Sequence, residues 1–436
     1  MEIVSGFSKM TKLEKINWLA TQIEISSENN IHEISKFWYK DENEQKKMDD
    51  FAENTISNFV LPFGIAPNFL INNKTYAIPM VIEESSVVAA ASLAAKFWLT
   101  RGGFHSEVIG VKKIGQVHFT WTGSYNGIQT LFKNHKSDLL AKLSAIEENM
   151  KKRGGGILSL DLINVTHELE NYYQIKIEVD SIDAMGANFI NTLLEELASQ
   201  WKLLVSDACL DGELEVIMSI LSNYTPDCLV RSYVECEIED LGSFSGNLDS
   251  LSFAKKFVTA VSIAKNDVSR AVTHNKGIMN GIDSVVIASG NDFRATEACA
   301  HAYAARDGVY RSLSHAEITG TKFKFEIVVP LALGTVGGLT SLHPLAKMSL
   351  DILGKPNSRE LMQIVATVGL AQNFSAVRSL ITTGIQKGHM KLHLLNILNQ
   401  LNANIDEVNI AKEYFSDKTI SFTAVRNFLQ SKRMNQ

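Results

Sequence analysis

Four short segments carry side chains whose types and settings could do chemistry. Lys276 sits in His274-Asn275-Lys276-Gly277-Ile278-Met279-Asn280-Gly281. It is a single cation among small and polar neighbours that let a substrate approach closely, and an ammonium there can stabilise charge developing on oxygen. Asp292 follows Ser289-Gly290-Asn291, a similar small-residue setting for one carboxylate. Glu84 belongs to Glu83-Glu84-Ser85-Ser86, just ahead of an apolar run. It can pass a proton, although acidic residues and serine also simply suit a helix N-terminus. His389 closes the run Gly384-Ile385-Gln386-Lys387-Gly388-His389. An imidazole titrates near neutrality and can act as a general acid; a surface histidine is the plainer alternative. His389 and His393 are four apart and would share a helix face. The glutamate that follows the first histidine of a zinc-protease pair is absent, so no metal is expected.

Two further segments could receive an extended or anionic ligand. Gly334-Thr335-Val336-Gly337-Gly338 lies between a β-rich run and a helix-like stretch. Its backbone N–H groups could meet a phosphate, although taken alone the segment is better explained as a plain tight turn. In Asp183-Ala184-Met185-Gly186-Ala187-Asn188, small residues permit close approach to something flat, or else cap and pack a helix. No G-x-G-x-x-G follows a strand, so a Rossmann dinucleotide site is not expected.

The elements that must position these residues can be read from periodicity. Thr11–Glu24 and the alanine-rich Val87–Leu99 have helical spacing, with Gly102-Gly103 as a stop. Asp41–Asp50 reads as a solvated helix face. Gly156–Val165 and Tyr173–Val179 alternate around a polar turn and predict a hairpin. Asn188–Trp201 returns to helical spacing, a further strand pair is expected at Leu214–Leu221 and Val230–Ile238, and Phe323–Val329 is β-rich. A helix is expected from Leu342 to Leu353, and a polar helical tail follows. This texture suggests a small α+β unit near 110–217 inserted in a larger helical domain.

Bulk composition narrows the class. A chain of 436 residues is long enough for two or three domains. A net charge of −6 speaks against a general nucleic-acid binder. The four cysteines form no C-x-x-C and are expected to be reduced thiols. The N-terminus has no apolar signal core. The most apolar stretch, Val87–Leu99, is interrupted by Ser92 and Lys96 and falls short of the roughly 20 residues a bilayer requires. A cytoplasmic protein without a membrane span is expected.

Taken together, in this order and spacing, the motifs resemble the soluble, class II hydroxymethylglutaryl-CoA reductases over nearly the whole chain. Glu53-Asn54-Thr55-Ile56-Ser57 is similar to that family's ENVIG dimerisation segment, with Ser57 in place of glycine. Glu83-Glu84-Ser85-Ser86 is similar to its EEPS element, with Ser85 for proline. Asp183–Asn188 resembles the cofactor motif, His274–Gly281 the catalytic-lysine motif, and Gly290-Asn291-Asp292 the catalytic-aspartate motif. Gly334–Thr340 resembles a second cofactor-associated element, and Gly388-His389-Met390 the catalytic-histidine motif.

The resemblance implies an α+β fold. Residues 1–109 and 218–375 would form a large, mainly helical domain that binds HMG-CoA and dimerises. Residues 110–217 would form an inserted, non-Rossmann nicotinamide-cofactor domain, and 376–436 a helical C-terminal flap. It implies obligate dimers with active sites at the subunit interface. The partners would be HMG-CoA, mevalonate, CoA and a second copy of the chain, with no nucleic acid and no membrane. Lys276, Asp292, Glu84 and His389 would be catalytic. Ser86, Arg270, Asn280, Gln372 and Asn373 would bind HMG or frame its site. Asp183, Met185, Gly186, Asn188, Gly334, Thr335 and Gly337 would meet the cofactor.

The implied reaction takes a thioester to an alcohol in two hydride steps through a hemithioacetal and mevaldehyde. Lys276 would stabilise the oxyanion and Asp292 would hold Lys276. Glu84, partly protonated beside a second carboxylate, would donate to the aldehyde oxygen, and His389 would protonate the CoA thiolate. The coenzyme could be NADH or NADPH: Glu147 and Glu148 are followed closely by Lys151, Lys152 and Arg153, and acidic or basic groups at the ribose favour opposite coenzymes. A catalytically silent CoA- or nucleotide-binding protein on the same fold, and a related reductase of another acyl-CoA, are the alternatives; a coenzyme absorbance trace with HMG-CoA separates them.

Overall fold

The computed structural model describes residues 3–22, 32–382, 394–416, 418 and 420–434. His389 and His393 lie outside the described residues. The chain divides into two compact units, one ending at Pro62 and one beginning at Phe63.

In the first unit, α1 (Lys12–Gln22) buries Ile16 and Ala20. The charged α2 (Glu42–Asp49) is capped by Asp41, whose carboxylate accepts from the Asn43 and Glu44 N–H groups. Asn58 donates to the Gln45 side chain at 2.9 Å and Ser57 to the Ile34 carbonyl at 2.8 Å. These bonds hold the segment that resembles a dimerisation element, and Phe59 and Val60 just beyond it are exposed.

The second unit is mixed α/β. It opens with an antiparallel hairpin, β1 (Phe63–Ile71) and β2 (Lys74–Val81). The turn residues Asn72 and Asn73 have φ of 46° and 65°, the left-handed pair that a two-residue hairpin loop demands. The expected alanine-rich helix is α3 (Val87–Leu99). It stops where Gly103 returns its N–H to Trp98 O at 2.9 Å, and a Cβ on Gly103 would lie 2.5 Å from Leu70 O.

After β3 (His105–Val108), the chain crosses into a separate sheet made from β4 (Lys113–Trp121), β5 (Gly156–Asn164), β6 (Tyr172–Asp180) and β7 (Leu214–Ser222), in the order β5-β6-β4-β7. The helices α4 (Tyr125–Lys151) and α5 (Ala187–Asp207) belong to this layer. Its core, around Phe119, Leu193, Leu197 and Trp201, is distinct from the main one. The chain then returns through β8 (Leu229–Glu237), α6 (Ser250–Asn266), α7 (Val268–Ala288), α8 (Phe293–Ala304), β9 (Ser314–Thr319) and β10 (Lys322–Pro330). The second sheet has the order β3-β8-β10-β9. Every strand pair in both sheets and in the hairpin is antiparallel, which leaves, among the described residues, no parallel βαβ unit on which a Rossmann site is built.

The expected hairpin of β5 and β6 forms. The expected pairing of Leu214–Leu221 with Val230–Ile238 does not: both are strands, but β7 pairs with β4 and β8 with β3 and β10. Alternation specifies a half-buried strand and says nothing of its neighbour. Here the connection crosses between sheets, and Gly110 and Leu229 bond in both directions at 3.1 and 2.9 Å. The sequence-expected border at 217 falls inside β7.

Short α9 (Leu339–Leu342) and α10 (Pro344–Ile352) lead into α11 (Ser358–Ile381). Among the described residues α11 is the one helix long and apolar enough to cross a bilayer, yet 78% of that window is buried in the protein; it is a core helix. Its Phe374 meets Trp98, Phe244 and Phe257 at centroid distances of 5.2, 5.3 and 5.3 Å. Removing such a ring costs about 3–5 kcal/mol. A Cβ on Gly281 would lie 2.7 Å from Val368 O, and one on Gly369 would lie 2.8 Å from Ile282 Cγ1. Glycine at both positions therefore lets α7 and α11 touch. Beyond it, residues 394–400, α12 (Ile405–Tyr414) and α13 (Phe422–Met434) share a small core of their own. Arg433 closes it with a two-point contact to Glu407 at 2.6 and 2.9 Å.

Candidate active site

The close α7–α11 contact places two sets of polar side chains opposite each other. Lys276 and Asn280 are four residues apart on α7 and so share a face. Gln372 and Asn373 come from α11, and Glu84 and Ser86 from the loop ahead of α3. With Arg270 they line one cavity of about 270 Å³. Lys276 donates to Glu84 Oε2, and Asn280 donates to the same oxygen at 3.3 Å. The pair is exposed, so it adds little to stability; what it supplies is a cation and a carboxyl group at one point.

The cavity wall is pre-set by a buried chain of hydrogen bonds. Ser314 donates to Asn373 Oδ1 at 3.0 Å, and His274 Nε2 lies 2.6 Å from the Ser314 hydroxyl oxygen. A hydroxyl has one proton to give, so His274 donates from Nε2, and the Asn373 amide N–H groups are left for the cavity. Burial, with the Arg270 charge second, pushes the His274 imidazole down to about 3, so it stays neutral at physiological pH. Burial also lowers the Arg270 guanidinium from its ordinary range. Ser86 occupies the N-cap position of α3 with φ of 77° and makes no side-chain capping bond. A non-glycine residue in that conformation is uncommon, and strain of this kind collects at functional sites. The capping role that the sequence suggested for this serine is not the one it plays.

Asp292 is elsewhere. It caps α8, its Oδ1 accepting from the Arg294 and Ala295 N–H groups at 3.0 and 3.1 Å. From Lys276 to the end of α7 is about 18 Å of helix at 1.5 Å per residue, more than the side chains can span. The expected Lys276–Asp292 contact therefore does not form within one chain. Both residues lie on or beside α7, and a helix that long must carry them apart.

At the Asp292 end lies a second cavity of about 510 Å³, lined by Asn149, Arg153, Met185, Gly186, Asn188, Gly334 and Gly337 among others. The two glycine segments are knit together there. Thr335 and Val336 both donate to Asp183 O, at 2.8 and 3.3 Å, and Ala184 bridges Val336 in parallel. Asn291 clamps Gly334 from both sides, accepting its N–H at 2.8 Å and donating to its carbonyl at 3.0 Å. A Cβ on Gly334 would lie 2.4 Å from Met185 N, so no other residue fits. Asp183 does not cap the following helix: the N-cap of α5 is Gly186, φ 95°, and Asp183 Oδ1 accepts from Ser358 N–H at the start of α11, 2.8 Å away.

The sequence gives no sign of the linking role of Asn291, because its partner is 43 positions away. Arg153 was visible as one charge in a mixed run; only the fold shows which of that run faces the cavity. Among the described residues no group of three or more metal-ligating side chains occurs.

The family model for hydroxymethylglutaryl-coenzyme A reductase matches residues 14–394. The chain is 36% identical over 412 residues to the 3-hydroxy-3-methylglutaryl-coenzyme A reductase of Archaeoglobus fulgidus, covering 93% of this chain and 89% of that protein. It is 34% identical over 419 residues to a probable reductase of the same name from Borreliella burgdorferi, covering 95% and 90%. Among solved structures, the Streptococcus pneumoniae reductase superposes with a TM-score of 0.73 at 36% identity, over 98% of this chain and all (100%) of that one. A class II enzyme from the same organism, bound to NADPH in open conformations, superposes with a TM-score of 0.72 at 35% identity, over 97% and 100%.

Fold and matches together define a nicotinamide-dependent oxidoreductase acting on a CoA thioester. The chain belongs to the hydroxymethylglutaryl-coenzyme A reductase family, and it is similar to that family's class II enzymes. Its reaction is the interconversion of HMG-CoA with mevalonate and CoA, in the mevalonate route to isoprenoids.

Proposed function

We propose that the Lys276–Glu84 cavity is where HMG-CoA reacts and that the glycine-lined cavity holds the nicotinamide coenzyme. The observation that carries this reading is the convergence of Lys276, Glu84, Ser86, Arg270, Asn280, Gln372 and Asn373 on one cavity. Its test is the absorbance of reduced coenzyme on addition of HMG-CoA, with mevalonate identified as product; a folded, inert protein would sink it. In this reading the sheet of β4 to β7 with α4 and α5 is the non-Rossmann coenzyme domain expected near 110–217. The remainder of the second unit is the substrate domain, and the helices from 394 onward belong to the flap. The chain works in the cytoplasm, where thiols such as the buried Cys228 and Cys299 stay reduced.

The glycine-lined cavity fits the coenzyme. Gly337 and Gly338 leave open space where a Cβ would stand, and the unpaired first N–H groups of α5 suit a phosphate. When bound, the coenzyme supplies hydride, one per molecule, to the thioester carbonyl and then to the aldehyde. Lys276 holds the oxygen on which charge develops in both steps. Glu84 passes a proton to the aldehyde oxygen. Arg270 meets the free carboxylate of the substrate, to which a guanidinium can donate twice, and Ser86, Asn280, Gln372 and Asn373 frame the acyl group.

The protein is a homodimer or a multiple of dimers, in which Asp292 and the coenzyme cavity of the partner subunit complete the Lys276 cavity. The 18 Å of α7 between the half-sites supports this. So do exposed apolar side chains beside each: Val268, Val272 and Leu380 near Lys276, and Leu342, Leu345 and Met348 beyond the glycine turn. Asp292 Oδ2 has no partner among the described residues and is free to hold the lysine.

The coenzyme is NADPH. Glu147 is tied to Lys151 at 2.5 Å and Glu148 to Lys152 at 2.7 Å, whereas Arg153 lines the cavity and its guanidinium donates to Asn149 O at 3.3 Å. A guanidinium suits a ribose phosphate. Arg153→Ala should raise KM for NADPH about 10-fold and leave KM for NADH nearly unchanged, the scale of one charged hydrogen-bonding partner. Equal changes with both coenzymes would remove Arg153 from the ribose.

His389 protonates the CoA thiolate leaving the hemithioacetal. His389→Gln should slow HMG-CoA reduction roughly 10²-fold, the scale of a lost general acid. Reduction of free mevaldehyde, which has no sulfur, should stay within several-fold of wild type. Equal losses on both substrates would assign His389 to the shared hydride step instead.

A further inference from the structure

β4 begins with a lysine that the reaction does not use. Lys113 is 5% exposed, and its ammonium donates to Ser181 Oγ at 2.7 Å, to Ala184 O at 2.8 Å and to Met185 O at 3.0 Å. All three donors of the group are thereby engaged. Ser181 itself donates to Ala184 O at 2.7 Å. A buried ammonium is costly unless it is fully bonded, so filling space does not account for it; an apolar side chain would do that better. Burial pushes its pKa down, and Cys228, Asp180 and Asp183 nearby oppose that.

The loop it grips is held against its own preference. Ile182 has φ of 51°, an outlier for a β-branched residue that persists only where the surroundings over-determine it. In a trans peptide the carbonyl and the following N–H point in opposite directions, and no peptide among the described residues is cis. With the carbonyls of Ala184 and Met185 turned in to Lys113, the N–H groups of Met185 and Gly186 turn the other way, that of Met185 against the Gly334–Val336 segment bridged to this loop and that of Gly186 ahead of α5. Both of those residues line the large glycine cavity.

We propose that Lys113 is a positioning residue for the coenzyme: its ammonium holds the Ser181–Gly186 loop with its carbonyls inward, which docks Met185 on the glycine segment and turns the Gly186 N–H toward the cavity. The proposal rests on the reading of that cavity as the coenzyme site. Lys113 lines a cavity of about 290 Å³ with Met185 and Asp292, but its hydrogen bonds go to Ser181, Ala184 and Met185 and not to Lys276, Glu84 or Asp292, so its effect should appear in coenzyme binding.

The test uses the full-length enzyme with Lys113→Met, which keeps the bulk and removes the charge and donors. KM for the reduced coenzyme should rise about 30-fold, the scale of losing buried charged hydrogen bonds. KM for HMG-CoA should stay within about twofold, since Lys113 and the residues it bonds, Ser181, Ala184 and Met185, are not among those that line the Lys276 cavity. A purely structural lysine would move both constants together with the melting temperature, and that result, like an unchanged coenzyme KM in a folded variant, overturns the proposal. If Lys113→Met does not fold, Ser181→Ala replaces it; a coenzyme KM raised about fivefold with KM for HMG-CoA unchanged supports the clamp, and no change overturns it. Gly337→Val, which puts a side chain into the cavity, separates the two ideas. Coenzyme binding lost there but intact in Lys113→Met sinks the lysine inference alone. Coenzyme binding intact in Gly337→Val sinks the cavity assignment and the inference with it.

Discussion

Lys276→Ala should lower turnover by about 10²–10³-fold on both HMG-CoA and mevaldehyde, the cost of about 3–4 kcal/mol typical for removing a donor aimed at a developing oxyanion. Both half-reactions build negative charge on the substrate oxygen, so both lose the same stabilisation. The fold should be unaffected. Lys276 is more than half exposed and pairs with a partly exposed Glu84, and exposed pairs contribute about 0–1 kcal/mol. On the next turn of the same face, Asn280 still donates to Glu84, so the carboxylate keeps a partner and its orientation. Turnover and thermal unfolding measured on the same preparation decide the matter. A variant that keeps a tenth of wild-type turnover would mean that another group meets the oxyanion.

Asp292→Asn should cost about 10²–10³-fold in turnover by removing the charge that holds the reacting lysine, with the fold preserved. Asparagine is chosen because Asp292 caps α8 through its Oδ1, and asparagine caps a helix as well as aspartate does. The informative measurement is a mixture. If the reacting centre takes Lys276 from one subunit and Asp292 from the other, a dimer of one Lys276→Ala chain with one Asp292→Asn chain has one doubly damaged site and one intact site. Co-refolding the two inactive variants in equal amounts should then recover about one quarter of wild-type activity, because half of the random dimers are mixed and each carries one good site of two in a twofold-symmetric dimer. If both residues acted within one chain, no mixture would recover anything. The approximately 18 Å of α7 between them makes the first outcome the expected one.

What the sequence determined by itself was local. Residue types at fixed spacing identified the lysine, aspartate, glutamate and glycine segments, and the resemblance they carry is the family that the comparisons found. Periodicity placed α3 at its observed limits and the β5–β6 hairpin within a residue or so at each end, because both signals lie inside a dozen consecutive residues. Tertiary structure decided everything that depends on a distant partner. It put β7 and β8 into different sheets, since alternation marks a strand and leaves its neighbour open. It turned Glu147 and Glu148 to nearby lysines and Arg153 to the cavity, a choice made by the helix phase at the end of α4. It brought Gln372 and Asn373 to Lys276 through two glycines that let α7 and α11 touch. It also carried Lys276 and Asp292 apart, because twelve residues of one rigid helix and the turn after it lie between them, and a helix fixes that distance whatever chemistry the two residues share.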